Sequence, residues 1–300
     1  MGDHQLETVY TGGRFFESPR WHDGHWWLSD FYDYRVLTLA DDGQVETVME
    51  VEGQPSGLGW MPDGSMLVVS MKDQRVLRRH TDGTVSDHAH LSEQSEGHTN
   101  DMVVDSQGRA WVGDFGFDLM SMGDPHPTSL KRVDPDGTVT VAAEGLLFPN
   151  GMVITPDERT LIAGESVGSR YAAWTIAEDG TLTDHRIWAQ VGPTPALGSF
   201  AEMLAQLQVA PDGCTLDASG HLWAADALFG RCIRIAPGGG IVDEIAAPEG
   251  LGMFACMLGG EDGRDLLICC APDFFEHNRV NARDGVLLRT RVEVPHAGLP

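Results

Sequence analysis

The chain of 300 residues is 42% hydrophobic and 22% charged, which is typical of a soluble globular protein. Its 45 acidic residues outnumber 20 basic ones, so the net charge is −25. So acidic a surface repels phosphate backbones, and the chain has no run rich in Lys or Arg, so nucleic acid is not an expected partner. No apolar run approaches the ~18 residues of a membrane span, and the N-terminal residues lack the basic and apolar regions of a secretory signal. We therefore expect no membrane partner.

The predicted strands recur in six segments that share one plan. Each segment has a short first strand, a turn and an apolar second strand, and the second strands are predicted at 26–30, 66–70, 110–114, 161–165, 222–226 and 266–270. Asp-Gly and related pairs before them supply the positive φ and local hydrogen bonds that hairpins need. A third and a fourth strand follow, as at 35–39 and 45–49. Four antiparallel strands repeated at about 40–50 residues predict an all-β fold, a six-bladed β-propeller.

The last repeat is short of one strand. After residues 285–292 little chain is left for a fourth strand, whereas residues 6–10 resemble the fourth strands elsewhere. We therefore expect the N-terminal strand to close the last blade, which removes an open sheet edge. This makes residues 1–300 a single propeller domain. The structural alternative is a β-sandwich or a two-domain β protein, which would not explain six matching first strands.

One segment departs from the strand pattern. Within residues 195–208, apolar side chains at 197, 200, 203, 204 and 207 have helical spacing. The segment precedes the fifth first strand, so we predict a short helical lid or wall at the mouth of the propeller axis. The alternative is a helix that merely covers the edge of a blade.

The residues at the start of the six first strands, here called the head residues, are the candidate site. They are Glu17, Ser56, Asn100, Asn150, Asp212 and Phe254. Equivalent positions in a radial repeat converge on the axis, and four of these side chains are carboxylates or amides. Pro-Asn-Gly and Pro-Asp-Gly are common turn tripeptides, and a lone acid is usually solvated, so the equivalence of the positions carries the argument.

Carboxylate and amide oxygens are the ligands that a hard divalent cation prefers. Glu17, Asn150 and Asp212 fit as direct ligands, and Asn100 fits as a ligand or as a holder of metal-bound water. These few protein ligands do not fill the coordination shell of such a cation. The positions left open indicate catalysis or substrate binding rather than a structural ion. One carboxylate could then accept a proton from water. The 12 histidines include no His-x-x-x-His pair, which disfavours a zinc–histidine site.

The five cysteines predict a reducing environment. Cys214, Cys232, Cys256, Cys269 and Cys270 form an odd set without a Cys-x-x-Cys pair. We expect a cytoplasmic protein with thiols in its core and no cysteine-based metal site. We expect a monomer or a small homo-oligomer.

Five motifs in this order resemble the SMP-30/gluconolactonase/luciferin-regenerating enzyme family. They are Glu17-Ser-Pro-Arg-Trp, Asn100-Asp-Met-Val-Val-Asp-Ser-Gln-Gly-Arg, Pro149-Asn-Gly-Met, Pro211-Asp-Gly-Cys-Thr-Leu-Asp and Gly259-Gly-Glu-Asp. The resemblance spans essentially the whole chain. It implies a six-bladed propeller that uses one divalent cation, often calcium and sometimes zinc, manganese or iron, to hydrolyse lactones.

The resemblance also implies roles for individual residues. The family's metal ligands fall on Glu17, Asn150 and Asp212, and Asn100 matches an asparagine that contacts substrate. Asp118 lies where some sugar-lactone hydrolases have an acidic residue for substrate hydroxyls. The animal gluconolactonases have arginine at the position where this chain has His98.

The hypothesis is a hydrolase that opens a lactone or related ester, with Ca²⁺ as the first expectation and Zn²⁺, Mn²⁺ or Fe²⁺ as alternatives. Asp212 is the candidate base, while Asn100, His98 and Asp118 are candidates for substrate binding. Phe115, Phe117 and Phe254 make the expected mouth apolar, which favours a substrate less polar than a sugar lactone. A phosphotriesterase-type hydrolase and a non-catalytic, cation-dependent ligand-binding propeller remain the alternatives.

Overall fold

Strands make up most of the chain, as the alternation of apolar runs and turn residues predicts. The computed structural model describes residues 2, 4–40 and 43–298. The predicted domain 1–300 therefore includes six residues outside the described ones: Met1, Asp3, Asp41, Asp42, Leu299 and Pro300.

The described residues form 24 strands. In chain order they are β1 Glu7–Gly13, β2 Phe16–His22, β3 His25–Asp30, β4 Arg35–Leu39, β5 Val45–Glu50, β6 Pro55–Trp60, β7 Met66–Ser70, β8 Arg75–Arg79, β9 Val85–His90, β10 Thr99–Val104, β11 Ala110–Asp114, β12 Thr128–Val133, β13 Val139–Leu146, β14 Pro149–Ile154, β15 Thr160–Glu165, β16 Arg170–Ile176, β17 Leu182–Gln190, β18 Pro211–Leu216, β19 Leu222–Asp226, β20 Arg231–Ile235, β21 Ile241–Ala246, β22 Gly252–Gly259, β23 Asp265–Ala271 and β24 Gly285–Arg291.

These strands form six antiparallel sheets of four strands each within the described chain, namely β2–β5, β6–β9, β10–β13, β14–β17, β18–β21 and β22–β24 with β1. The first strand of each sheet contacts the first strands of the neighbouring sheets, so six inner strands form a closed ring. The prediction of a six-bladed β-propeller with four strands per blade is confirmed.

The last blade is closed by the N-terminal strand. β1 pairs antiparallel with β24, with Glu7 opposite Arg289 and Gly13 opposite Gly285. The order in this sheet is β1-β24-β23-β22, so the predicted closure is present and β24 has a partner on both sides.

Every inner strand is irregular where its head residue lies. The pairing of each inner strand with the second strand of its blade shifts register at that point, for example between Glu17 and Arg20 in β2 and between Pro211 and Cys214 in β18. Such bulges bend a strand and re-aim its side chains. They explain how the head residues leave the sheet surface and reach the axis.

Glycine allows the inner strands to pack closely. A Cβ atom built on Gly151 would lie 2.1 Å from the carbonyl oxygen of Asp212, and one built on Gly57 would lie 2.5 Å from the backbone nitrogen of Met102. The neighbouring strands β14 and β18 therefore touch backbone to backbone beside their head residues.

The space between the blades is filled with apolar side chains. Trp26, Trp111 and Trp223 lie on second strands and are fully buried in three separate clusters between blades. The five cysteines are buried and free. This packing holds the blades at fixed angles around the axis.

Four short helical segments interrupt the strands in the described chain: α1 Phe200–Leu204, α2 Glu276–Arg279 and the 3₁₀ turns Phe31–Asp33 and Leu119–Ser121. No helix among the described residues has the length and apolar character needed to cross a membrane.

The segment 195–208 is helical over five residues only. Ser199 begins α1 as its N-cap: its hydroxyl accepts a hydrogen bond from the Glu202 backbone N–H, and the Glu202 carboxylate accepts one from Ser199. The backbone N–H groups of Gln206 and Leu207 bond to the carbonyl three residues earlier instead of four, and this tighter turn ends the helix. The apolar periodicity extends past the end of the helix because Leu207 is also buried, whereas Leu197 before the helix is 60% exposed.

Candidate functional site

One cavity lies where the head residues converge. Together with its open mouth it spans about 670 Å³, and four of its lining side chains, Glu17, Asn100, Asn150 and Asp212, form what we call the polar floor. Of the two remaining head residues, Phe254 lines the cavity, while the Ser56 hydroxyl donates a hydrogen bond to Oδ1 of Asn100 at 3.2 Å. The structure thus brings together the three predicted metal ligands and Asn100.

Two residues of the floor are joined directly across the seam between blades. Nδ2 of Asn150 donates to Oδ1 of Asp212 at 2.6 Å and also contacts the Ser166 hydroxyl at 3.1 Å. Oδ1 of Asn150 accepts the backbone N–H of Gly151 at 2.9 Å. These bonds fix the Asn150 amide, so Asp212 is held by blade four as well as by its own strand.

A buried ion pair lies beside the floor, and the sequence analysis did not identify it. Nη2 of Arg20 donates to Oδ1 of Asp101 at 3.0 Å and to the Met102 carbonyl at 2.8 Å. Nε of Arg20 also donates to the Leu58 carbonyl at 3.1 Å, so the guanidinium joins three blades. Arg20 and Asp101 both belong to motifs quoted above, and their adjacency to head residues was the available signal.

The surroundings of Glu17 disfavour its negative charge. Burial raises the pKa of the Glu17 carboxyl well above its ordinary value, and the charges of Asp212 and Asp101 raise it further. The Ser18 backbone N–H and the Arg20 guanidinium oppose the rise more weakly. Arg20 is already paired with Asp101, so it leaves the charge of Glu17 largely uncompensated.

The surroundings of Asp212 also disfavour its negative charge. Burial raises the pKa of its carboxyl well above the ordinary value, Asp101 adds to the rise, and the hydrogen bonds from Asn150 and Gly213 oppose it. Among the described residues neither carboxylate forms an ion pair with a basic side chain, so a cation between the half-buried Glu17 and the buried Asp212 would stabilise both.

The donor set fits a hard divalent cation. Glu17, Asn150 and Asp212 supply carboxylate and amide oxygens, which suit calcium-like ions better than soft metals. Among the described residues no group of three or more His, Cys, Asp or Glu side chains has metal-binding geometry, so an ion at the floor would depend on the amides.

His98 and Asp118 lie outside this cavity. They line a neighbouring depression, which shares Phe115, Leu119 and Met120 with the central cavity. Burial and the charge of Lys72 lower the pKa of His98. The Asp118 carboxylate accepts the Ser121 backbone N–H at 3.1 Å and thereby caps a 3₁₀ turn. Their roles in substrate binding remain predictions.

The walls above the floor are apolar. Seven of the 11 phenylalanines of the chain line the cavity: Phe15, Phe31, Phe115, Phe148, Phe200, Phe254 and Phe274. Phe115 and Phe254 were expected at the mouth, whereas Phe117 packs behind Phe148 and Phe200. Phe200 begins α1, in the segment that was predicted at the mouth. The remaining four lie in connecting segments outside the repeat pattern, where no sequence signal pointed to the cavity.

Ser166 was missed although it lies within a Gly-x-Ser-x-Gly pattern, residues 164–168. Its side chain lines the cavity. The hydroxyl donates to the Pro211 carbonyl at 2.6 Å and accepts from Asn150, and no histidine of the described chain hydrogen-bonds to it. Ser166 therefore supports the floor and lacks the base that a nucleophilic serine needs.

Comparison with known families gives a match over most of the chain. The family model described as "SMP-30/Gluconolactonase/LRE-like region" matches residues 15–271. Pentonolactonase XacC of Haloferax volcanii is 29% identical over 226 residues, which cover 73% of this chain and 68% of the relative. The 6-deoxy-6-sulfogluconolactonase of Pseudomonas putida is 29% identical over 67% of this chain and 64% of its own length.

Among solved structures, the calcium-binding protein regucalcin from Agrobacterium tumefaciens superposes with a TM-score of 0.78. The two chains are 20% identical, and the match covers 99% of this chain and 97% of that one. At this identity the likeness concerns the fold.

Proposed function

We propose that this chain, which belongs to the SMP-30/gluconolactonase/LRE-like family, is a hydrolase that opens lactones with the help of one divalent cation. The observation that carries the proposal is the polar floor: the half-buried carboxylate of Glu17, the buried carboxylate of Asp212 and two buried amides at the base of an open cavity. The lactonases among its relatives support the reaction class.

In this proposal Glu17, Asn150 and Asp212 hold the cation. When bound, the cation would polarise the lactone carbonyl and stabilise the negative charge that develops on its oxygen. We assign calcium first, which the calcium-binding regucalcin neighbour supports, and keep zinc, manganese and iron as alternatives.

The residues of the floor divide the remaining tasks. Asp212 accepts a proton from the attacking water, and its bond to Asn150 orients the carboxylate. Water adds to the carbonyl carbon, the ring C–O bond breaks, and the proton passes to the alkoxide, so that a hydroxy acid leaves. Asn100, held by Ser56, positions the substrate beside this carboxylate. His98 and Asp118 contact the part of the substrate that reaches the neighbouring depression.

The cavity walls support a substrate less polar than a sugar lactone, because their side chains are mainly hydrocarbon. The segment 195–208 serves as a lid, since Phe200, Leu204 and Leu207 lie over the cavity. The free thiols support a cytoplasmic location, and we propose a single domain that acts as a monomer or a small homo-oligomer.

The test is lactone hydrolysis followed by pH-stat across sugar and alkyl lactones. The protein is assayed after chelation and again after addition of Ca²⁺, Mn²⁺, Zn²⁺ or Fe²⁺. We expect activity to vanish with chelator and to return with one cation. Tight cation binding without turnover of any lactone would overturn the lactonase and leave a ligand-binding or phosphotriester-cleaving site to be tested.

A further inference from the structure

The phenylalanines at the cavity fall into two sets of contacting rings, which we call the two walls. In the first wall Phe15 contacts Phe31 and Phe254, with ring centroids 5.4 and 4.8 Å apart, and Phe254 contacts Phe274 at 6.3 Å. All four belong to the first and sixth blades, which adjoin each other in the ring.

The second wall lies on the other side of the axis. Phe115 contacts Phe148 with centroids 4.7 Å apart, and Phe117 connects Phe148 to Phe200 at 6.0 and 5.8 Å. These residues come from the third blade and from the segments that enter the fourth and fifth blades. Among the residues that the structure describes, no ring-to-ring contact joins the two walls. The two walls face the same cavity, and other apolar side chains of one core cluster connect them. We call the space between the walls, with the polar floor at its base, the slot.

Within the described chain, the wall side chains offer no hydrogen-bond donor that is still unused. Apart from the floor, the polar side chains that line the cavity are Tyr32 and Ser166. The Tyr32 hydroxyl donates to the Phe274 carbonyl at 2.7 Å, and the Ser166 hydroxyl donates to the Pro211 carbonyl. A substrate hydroxyl above the floor would lose its bonds to water without replacement, which is unfavourable in a buried site.

We propose that the substrate is a lactone that carries a flat aromatic or fused-ring hydrocarbon group and no ring hydroxyls. The inference rests on the proposed function: the carbonyl meets the polar floor while the flat group enters the slot between the two walls. Aromatic rings prefer offset-stacked or edge-to-face neighbours at 4.5–7 Å, which a slot lined by phenylalanines on both sides provides.

The experiment compares four δ-lactones on the protein loaded with the cation that restores activity, or with Ca²⁺ if none does. They are δ-valerolactone, its 5-phenyl and 5-cyclohexyl derivatives, and glucono-δ-lactone. Burial of the phenyl group should raise kcat/KM about 10- to 100-fold over δ-valerolactone. The flat phenyl group should exceed cyclohexyl by about 2- to 10-fold, and each unpaired hydroxyl of gluconolactone should cost at least about fivefold.

One variant from each wall tests the slot. Phe148→Leu and Phe254→Leu should each reduce the preference for phenyl over cyclohexyl. Phe229→Leu is the matched control, because Phe229 is 49% exposed and does not line the cavity. Thermal unfolding of each variant shows whether it is folded.

Binding of the corresponding lactams, which resist hydrolysis, separates the two hypotheses. Turnover of δ-valerolactone without a gain from phenyl, or a preference for gluconolactone, overturns the substrate class and leaves the hydrolase intact. Selective binding of the phenyl lactam without turnover of any lactone refutes the reaction and supports the slot. Equal binding of all the lactams overturns the slot whatever the turnover.

Discussion

Adding one methyl group at Gly151 should separate two floor side chains without changing either of them. The Cβ of Gly151→Ala would lie 2.1 Å from the Asp212 carbonyl oxygen and 3.0 Å from the Cys214 nitrogen, whereas ordinary contact begins near 3.4 Å. The φ of Gly151 is outside the left-handed region, so alanine causes no backbone strain of its own. The seam between β14 and β18 must therefore widen by about 1.3 Å at this point.

That displacement exceeds the tolerance of a hydrogen bond. The 2.6 Å contact between Asn150 and Asp212 would be broken, and the three proposed ligands would no longer share one geometry. Loss of such support typically weakens metal binding by about 10- to 100-fold. Overpacking of this kind also costs about 1–3 kcal/mol of folding free energy.

The assay is calorimetric titration with Ca²⁺ of protein that a chelator has freed of metal, and thermal unfolding is measured on the same samples. Gly59→Ala is the control, because its Cβ would lie 2.4 Å from Val104 and crowd the seam between β6 and β10 away from the ligands. It should lose stability and keep its cation affinity. A folded Gly151→Ala protein that binds Ca²⁺ within twofold of wild type would refute the argument.

Three further predictions address single side chains. Asp212→Asn should remove most lactonase activity while the fold is retained, and wild-type turnover in a folded, metal-loaded variant would exclude Asp212 as the base. Glu17→Gln should lower the metal content found by elemental analysis. In metal-free protein the same substitution should raise the free energy of unfolding at pH 8, because the raised pKa of Glu17 means that its charged form destabilises the fold. This gain should vanish as the pH falls below 4.5, the ordinary pKa of a glutamate, where the carboxyl is protonated. Denaturant titration at pH 8 and below pH 4.5 checks the sign. Ser199→Ala should reduce amide-exchange protection in α1 by about 0.5–2 kcal/mol and leave global unfolding unchanged, because the capping bonds of α1 are local.

The propeller could be predicted because its signals are local and repeated. Strand length, apolar alternation and turns of Asp-Gly or related pairs appear in every unit, and strands 66–70, 110–114 and 222–226 have the predicted bounds. Equivalence within the repeat then located the head residues. The bulges that turn them to the axis have no such signature, since they depend on the packing of neighbouring inner strands.

The parts of the site outside the repeat were predicted less well. Asp101 follows a head residue, but its pairing with Arg20 depends on contacts across three blades. Phe148, Phe200 and Phe274 reach the cavity from connecting segments, whose paths are set by tertiary contacts such as the bond from Tyr32 to the Phe274 carbonyl. The length of α1 was set by the Ser199 cap and by tighter turns at its end, which apolar spacing does not encode.

The closure of the last blade by β1 has a consequence for the order of folding. β1 and β24 are far apart in sequence, with Glu7 and Arg289 separated by 282 positions, and their side chains pair at 3.1 Å. At typical synthesis rates β1 leaves the ribosome roughly 15–55 s before β24, and joining chain segments so distant costs about 5 kcal/mol of loop entropy. Five blades can therefore form while the first strand still has no partner. The sixth is completed last, and its outer pair is where we expect the ring to open first when the protein unfolds.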